Sequence, residues 1–537
     1  MQTPKQSQQT IAPDILLERH VPVVMPDGVR LFANIFRPAA SGRYPAILSV
    51  TPYGKDLLPD RKTMFFMRLA GVQFGTLRCS RWTGFESPDP LYWVGQGYVV
   101  GQADVRGMHS SEGSAGILTD LDAADYATFI EWAAVQPWCN GKVGLLGVSY
   151  LAMSQWRVAA LQPPALRAIC PWEGVTDMLR ELAYQDGIPE TRFIPTWWGR
   201  IVREHNRHFS LGEDFPADAA QHPLDDEHWA KKRPELHKIT VPALVCASWS
   251  DHGLHTRGSF IGFEEISSKE KWLYTHGRRK WETFYSQEAC AIQTAFFAYT
   301  LKDQPEAMNT IPPLRLERRR SFYQADVRNE PRWPLQNVQA QQLHLSASPN
   351  ALTEHAPQAP SMAEYDSTHK DDRAQFFYTF KENTEITGGM ALKLWVSCPD
   401  SDDLDLFVTL HKMDQQGNEV YFSGYNGFRR DCVAKGWLRA SHRQLDVERS
   451  TLFRPWHSHR ERQFIQQGDI VAVDIEILPS STFFEAGTTL RLDIQGGDAA
   501  QYPAFGHKQD VNRGRHRIHC GANYDSRLTA PIILKAN

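Results

Sequence analysis

At 537 residues the chain is long enough for two or three cores, and 42% hydrophobic with 22% charged residues marks a folded globular protein rather than a disordered or fibrous one. Its 58 basic and 62 acidic side chains leave a formal charge of -4, too balanced for the electrostatic footprint of nucleic-acid binding. No stretch is long enough to span a bilayer, and Met1 to Pro13 lacks the apolar run of a secretory signal. The eight cysteines are scattered, and Cys170, Cys246 and Cys398 read as buried thiols, so a cytoplasmic location is expected.

From Arg43 to His276 short apolar runs alternate with longer helical stretches, which predicts an α/β sheet wound with crossover helices. The runs are Pro45 to Val50, Tyr98 to Gly101, Val143 to Leu146, Ala165 to Cys170 and Ala243 to Ala247, each ending in turn chemistry. Between Glu173 and Glu235 the strand signal disappears. Thr176 to Ala183 and Trp197 to His208 show helix-compatible spacing there, which reads as an inserted helical cap. A helix is expected from Ser286 to Leu301. Beyond it the pattern has period two, as in Val471, Val473, Ile475 and Ile477 against Asp474 and Glu476, and Leu490, Leu492 and Ile494 repeat it. The expected organisation is a catalytic core over 1–172 and 236–302, a cap over 173–235, and an all-β sandwich of jelly-roll type over 303–537.

The chemistry is written most plainly at Gly147-Val-Ser149-Tyr150-Leu-Ala152, where an apolar strand feeds a Gly-x-Ser turn and then a helix-compatible run through Ala160. Such a strand-to-helix turn lifts a serine hydroxyl above the sheet edge and aims the next backbone N–H, that of Tyr150, at a developing oxyanion. Leu151 stands where the generic G-x-S-x-G pattern ends in Gly. In this arrangement the acid follows a late strand and the base follows the last. Pro242 to Asp251 is an apolar strand ending in a carboxylate, which makes Asp251 the expected acid. Three histidines, His252, His255 and His276, lie between it and the β-rich region. Position favours His276, which follows the strand-like Glu270 to Thr275, whereas His252 and His255 crowd the acid.

These residues resemble the CocE/NonD hydrolases, cocaine-esterase-like enzymes related to the X-Pro dipeptidyl-peptidases and the α-amino-acid ester hydrolases. The segments that carry the resemblance are Met25-Pro-Asp-Gly-Val-Arg-Leu, Thr51-Pro-Tyr53-Gly-Lys, Asp104-Val-Arg106-Gly107 through Gly113, Gln136 to Gly144, and the Gly-Val-Ser-Tyr-Leu elbow. The resemblance implies an α/β-hydrolase core with helical cap and jelly roll. It also implies a Tyr53 hydroxyl that completes the oxyanion hole beside the Tyr150 N–H. Two departures stand out. The family's base sits in a Gly-Pro-Trp-x-His segment, where this chain has Trp272-Leu-Tyr-Thr-His276-Gly-Arg-Arg-Lys-Trp281. The ester hydrolases of α-amino acids carry extra carboxylates just after the acid, where this chain has His252, Gly253 and Leu254, which counts against free-amine substrates.

The expected reaction is acyl transfer through a covalent acyl-enzyme on Ser149, with no metal or organic cofactor and a small ester or amide with an apolar acyl group as substrate. Trp172, Phe193, Trp197, Trp198 and Leu254 are candidates for the substrate pocket. An X-Pro dipeptidyl-peptidase is the alternative, and it would use acidic residues such as Glu181, Asp186 and Glu190 to hold an amino terminus. A non-catalytic binding protein is the third reading. Neither a nucleic-acid nor a membrane partner is expected, and a homodimer is the default assembly.

Overall fold

The computed structural model describes residues 4–57, 64–65, 68–69, 74–203, 211–499, 505–508 and 511–534. Its first half is organised by strands β1 (Ser7–Ala12), β2 (Ile15–Val24), β3 (Arg30–Pro38), β4 (Tyr44–Thr51), β5 (Val99–Asp104), β6 (Cys139–Val148) and β7 (Leu166–Trp172). A two-residue hairpin follows, β8 (Tyr184–Gln185) and β9 (Ile188–Pro189), and then β10 (Ala243–Ser248), β11 (Lys271–His276) and β12 (Leu314–Ser321). The pairings run β1-β2-β3-β5-β4-β6-β7-β10-β11-β12, antiparallel up to the β3–β5 pair and parallel from β5 onward. Every residue of β5 and β10 is buried, as expected of parallel strands covered on both faces.

Helices Asp120–Ala134, Tyr150–Ala160 and Thr256–Glu265 contribute to one apolar cluster, and Pro90–Gly95 and Gln287–Leu301 to the other. Local capping explains where two of them begin. Thr119 and Asp122 form a reciprocal capping box, and the Ser286 hydroxyl accepts from the Ala289 N–H. Because β4, β6, β10 and β11 all run the same way, the loops that follow them emerge at one edge of the sheet, where ligands bind in open parallel sheets. Tyr53, Ser149, Asp251 and the 277–280 turn lie on those loops.

Segment 173–235 departs from the helices expected of it. Thr176 to Ala183 forms only one wide turn, Leu179–Ala183, before the β8–β9 hairpin. The helix expected over Trp197 to His208 is present as Trp197–Arg203, and residues 204–208 lie outside the described residues. Short helices Phe215–Gln221 and Glu227–Lys232 complete the segment.

The last third is built of strands, most of them paired antiparallel, around one apolar core. Thr384–Ser397 pairs with Val471–Phe484, Arg515–Cys520 and Arg527–Ile533, and Asp405–Met413 pairs with Ala434–Arg439 and Thr489–Gln495. Leu392, Leu394, Val473 and Ile475 of the first group meet Leu406, Val408, Leu492 and Ile494 of the second in that core. The alternation read at 471–477 is kept by Val473, Ile475 and Ile477, which are buried. Glu476 breaks it. This carboxylate is also buried, because Arg257 Nε reaches it at 2.9 Å from the helix Thr256–Glu265.

Candidate active site

Ser149 sits between β6 and the helix Tyr150–Ala160 with φ 57° and ψ -117°, a left-handed backbone that a side chain adopts only under constraint. Its N–H is shared between the carbonyls of Trp172 and Glu173, both at 3.1 Å, which anchors the turn to the end of β7. Gly147 is required by close packing, since a Cβ there would lie 2.4 Å from Leu151 Cβ. Tyr150 opens the helix, so its N–H belongs to the first turn that has no intrahelical acceptor and is available to an oxyanion.

Ser149 Oγ lies 3.1 Å from His255 Nε2, and His255 Nδ1 lies 2.5 Å from Asp251 Oδ2. Both partners are deeply buried, His255 at 1% and Asp251 at 2% exposure. The acid and the imidazole are four residues apart on a turn whose Leu254 and Thr256 N–H groups both donate to the Asp251 carbonyl. That turn folds His255 back over Asp251, so nearness in sequence helps the pair to meet.

The expectation for His276 is corrected by this geometry. His276 ends β11, wholly buried, and its Nε2 lies 3.0 Å from Glu173 Oε1 rather than on the serine. Its ring stacks on Trp172, with centroids 6.5 Å apart. β11 carries His276 inward, and the loop beyond it brings Lys280 to the acid instead. Lys280 Nζ is 2.9 Å from both Asp251 Oδ2 and His255 Nδ1.

Burial works against a charged Asp251, yet Lys280 and His255 outweigh it and hold the carboxyl well below the usual carboxylate range. Burial, and then the Lys280 charge, push the His255 imidazole below its ordinary value, against the opposing pull of Asp251. Burial also disfavours the Lys280 ammonium, but Asp251 and Glu173 raise it above the usual lysine value, so it stays a cation.

Tyr53 follows β4, and its loop is held by Asp104, which accepts from the Lys55 N–H at 2.7 Å. Asp104 therefore serves Lys55, while Arg106 pairs with Asp125 at 2.6 Å and Asp27 at 2.7 Å. The Tyr53 hydroxyl lies near Glu86 and Trp197, and burial raises its pKa well above the ordinary phenol value. Glu86 also accepts from Trp281 Nε1 at 3.2 Å, and burial pushes its carboxyl up to about 8.

Of the pocket candidates, Phe193 and Trp197 stack on each other at 6.3 Å, and Trp197 neighbours Tyr53. Trp198 is buried next to Trp197. Trp172 is turned into the core against Tyr274 and His276, and Leu254 borders a small pocket with Glu181 and Arg257. Neither of these two joins the aromatic wall. Two residues from the last third of the chain do. Phe505 stacks on Phe193 at 4.9 Å, and the Tyr425 ring lies 5.2 Å from Lys280 Nζ. Tyr425 and Phe505 also border a cavity of about 330 Å³ with Phe428, Trp437 and His252, which no member of the Ser149–His255–Asp251 chain lines.

Among the described residues, three groups gather metal-capable atoms within 4.8 Å of one another: Glu173–Asp251–His255, Glu173–Cys246–His276 and Asp186–His457–His459. In the first, the Lys280 ammonium already supplies positive charge to Asp251. In the second, burial keeps the Cys246 thiol protonated and a poor ligand.

The parallel sheet with a serine turn at its edge is the fold of a hydrolase. Residues 27–280 match the X-Pro dipeptidyl-peptidase S15 family, and residues 306–529 match the X-Pro dipeptidyl-peptidase C-terminal non-catalytic domain. A CocE/NonD family hydrolase from Staphylococcus aureus superposes with a TM-score of 0.94 at 41% identity, over 97% of this chain and 94% of that one. Cocaine esterase from Rhodococcus sp. is 24% identical, over 96% of this chain and 98% of its own length. An α-amino acid ester hydrolase shares the fold, with a TM-score of 0.74 at 16% identity over 98% of each chain. The chain belongs to the CocE/NonD family of hydrolases. It is an ester-hydrolysing enzyme.

Proposed function

We propose that the enzyme cleaves carboxylic esters with an apolar acyl group through an acyl-enzyme on Ser149, with His255 as general base and Asp251 as the acid that orients it. The observation that carries this reading is the continuous chain of contacts from Ser149 Oγ to His255 Nε2 and from His255 Nδ1 to Asp251 Oδ2. His255 takes the serine proton as Oγ attacks the ester carbonyl. The Tyr53 hydroxyl and the Tyr150 N–H hold the oxyanion, and the proton passes to the departing alcohol. Water then repeats the sequence on the acyl-serine. In this reading the parallel sheet is an α/β-hydrolase core spanning 1–172 and 236–302, residues 173–235 are its cap, and 303–537 is a jelly-roll sandwich.

The wall of Phe193, Trp197, Phe505 and Tyr425 supports an apolar acyl group. The carboxylates that a dipeptidyl-peptidase would need for an amino terminus are engaged elsewhere. Glu181 accepts from the Thr176 N–H and faces Arg257, Asp186 faces His457 and His459, and Glu190 accepts from the N–H groups of Phe193, Ile194 and Gly506. The ester reading is therefore favoured over the X-Pro one.

The test is hydrolysis of a p-nitrophenyl acyl ester beside an Ala-Pro p-nitroanilide. Ester turnover is expected to dominate and to fall by about a thousandfold or more in Ser149→Ala and in His255→Ala. Faster anilide release would favour the peptidase, and activity persisting in either variant would refute the corresponding assignment.

A further inference from the structure

In this fold the base ordinarily arrives on the loop after the last strand. Here that loop does reach the acid, but it delivers an ammonium. Lys280 is 4% exposed and shares Asp251 Oδ2 with His255, each donor coming from a different element. With Asp251 Oδ2 as the acceptor, the His255 proton belongs on Nδ1 and Nε2 is left to accept from Ser149.

We propose that Lys280 is a positioning residue that sets the acidic edge of the enzyme's working range by sharing the Asp251 carboxylate with His255. The proposal rests on the reading of Ser149, His255 and Asp251 as the triad. In an ordinary triad the full carboxylate charge stabilises the imidazolium. Here a permanent cation 2.9 Å from Nδ1 offsets that charge, so the imidazole remains a neutral, competent base into more acidic solution. Glu173 acts on both His255 and Lys280 and carries its own partner His276, while Glu86 and the Tyr425 ring face Lys280. Glu173 opposes the lysine at His255, and its tie to His276 draws part of that influence away.

The measurement is kcat/KM for p-nitrophenyl butyrate against pH, in the full-length wild type, Lys280→Met, Lys280→Arg and His255→Ala, with thermal unfolding as the check on folding. The wild-type acidic limb is expected below the ordinary imidazole value of about 6.5. Lys280→Met is expected to move the limb upward by about one pH unit or more, and Lys280→Arg to leave it near the wild-type position. A role confined to packing would lower the rate without moving the limb, so an unmoved limb in folded Lys280→Met overturns the proposal. If that variant does not fold, a wild-type limb at or above the ordinary value overturns it equally. Activity retained in His255→Ala would instead remove the triad reading beneath it, which keeps the two failures distinct.

Discussion

Two histidines compete for the serine, and the three-residue turn between Asp251 and His255 decides the contest. Strand order pointed to His276, because a base on the loop after the last strand is the usual solution. The i, i+4 spacing of Asp251 and His255 was equally present in the sequence, but its meaning depends on whether the intervening turn folds back, which only the Asp251 carbonyl accepting from the Leu254 and Thr256 N–H groups makes plain. His276→Asn is therefore expected to retain activity within about tenfold, in contrast to His255→Ala. A loss in His276→Asn as deep as that of His255→Ala, in a folded protein, would contradict the assignment. Glu86 offers a second residue-level outcome. Burial pushes its carboxyl up to about 8, which favours the neutral acid below that pH and the carboxylate above it. Once ionised it becomes the stronger acceptor for the Tyr53 hydroxyl and draws that donor from the oxyanion. The pH profile should then fall above about pH 8, and Glu86→Gln should remove that fall. A profile that falls identically in both proteins would assign the limb to another group.

Elements were legible in proportion to how local their causes are. The parallel strands stood out because burial on both faces makes them continuous apolar runs, and β4, β6, β7 and β10 lie within a residue or two of the expected segments, apart from a longer start to β6. The helix Gln287–Leu301 was announced by its Ser286 cap. Segment 173–235 was not, because its turns are wide and short and are held by long-range partners. Arg180, for example, ties Asp177 and Asp225 to the carbonyls of His457 and Ser458, nearly three hundred positions away. Lys280 was hidden for a related reason. A lysine directly after two arginines reads as surface charge until its burial against Asp251 is seen. Trp172 and Leu254, offered as pocket residues, illustrate the converse, since apolar character alone does not say which way a side chain turns.

At the scale of the whole molecule, the strand-rich last third takes part in the site. It supplies Tyr425 and Phe505 to the aromatic wall, and its Glu476 grips Arg257, two residues beyond His255. Removing one partner of a buried ion pair leaves the other charge stranded. Glu476→Ala is expected to cost about 3 kcal/mol of stability, seen as a lowered urea midpoint, and to reduce esterase activity through the displaced helix. An unchanged midpoint would mean that Glu181 and the Trp456 ring suffice to hold Arg257. The turn that joins acid to base has a different kind of consequence. When the two stand on separate loops, an insertion or deletion in either can part them, and lineages must conserve both loop lengths to stay active. With Asp251 and His255 on one short turn they travel together as a heritable cassette, and the chain beyond β11 is released from carrying the base through evolutionary drift.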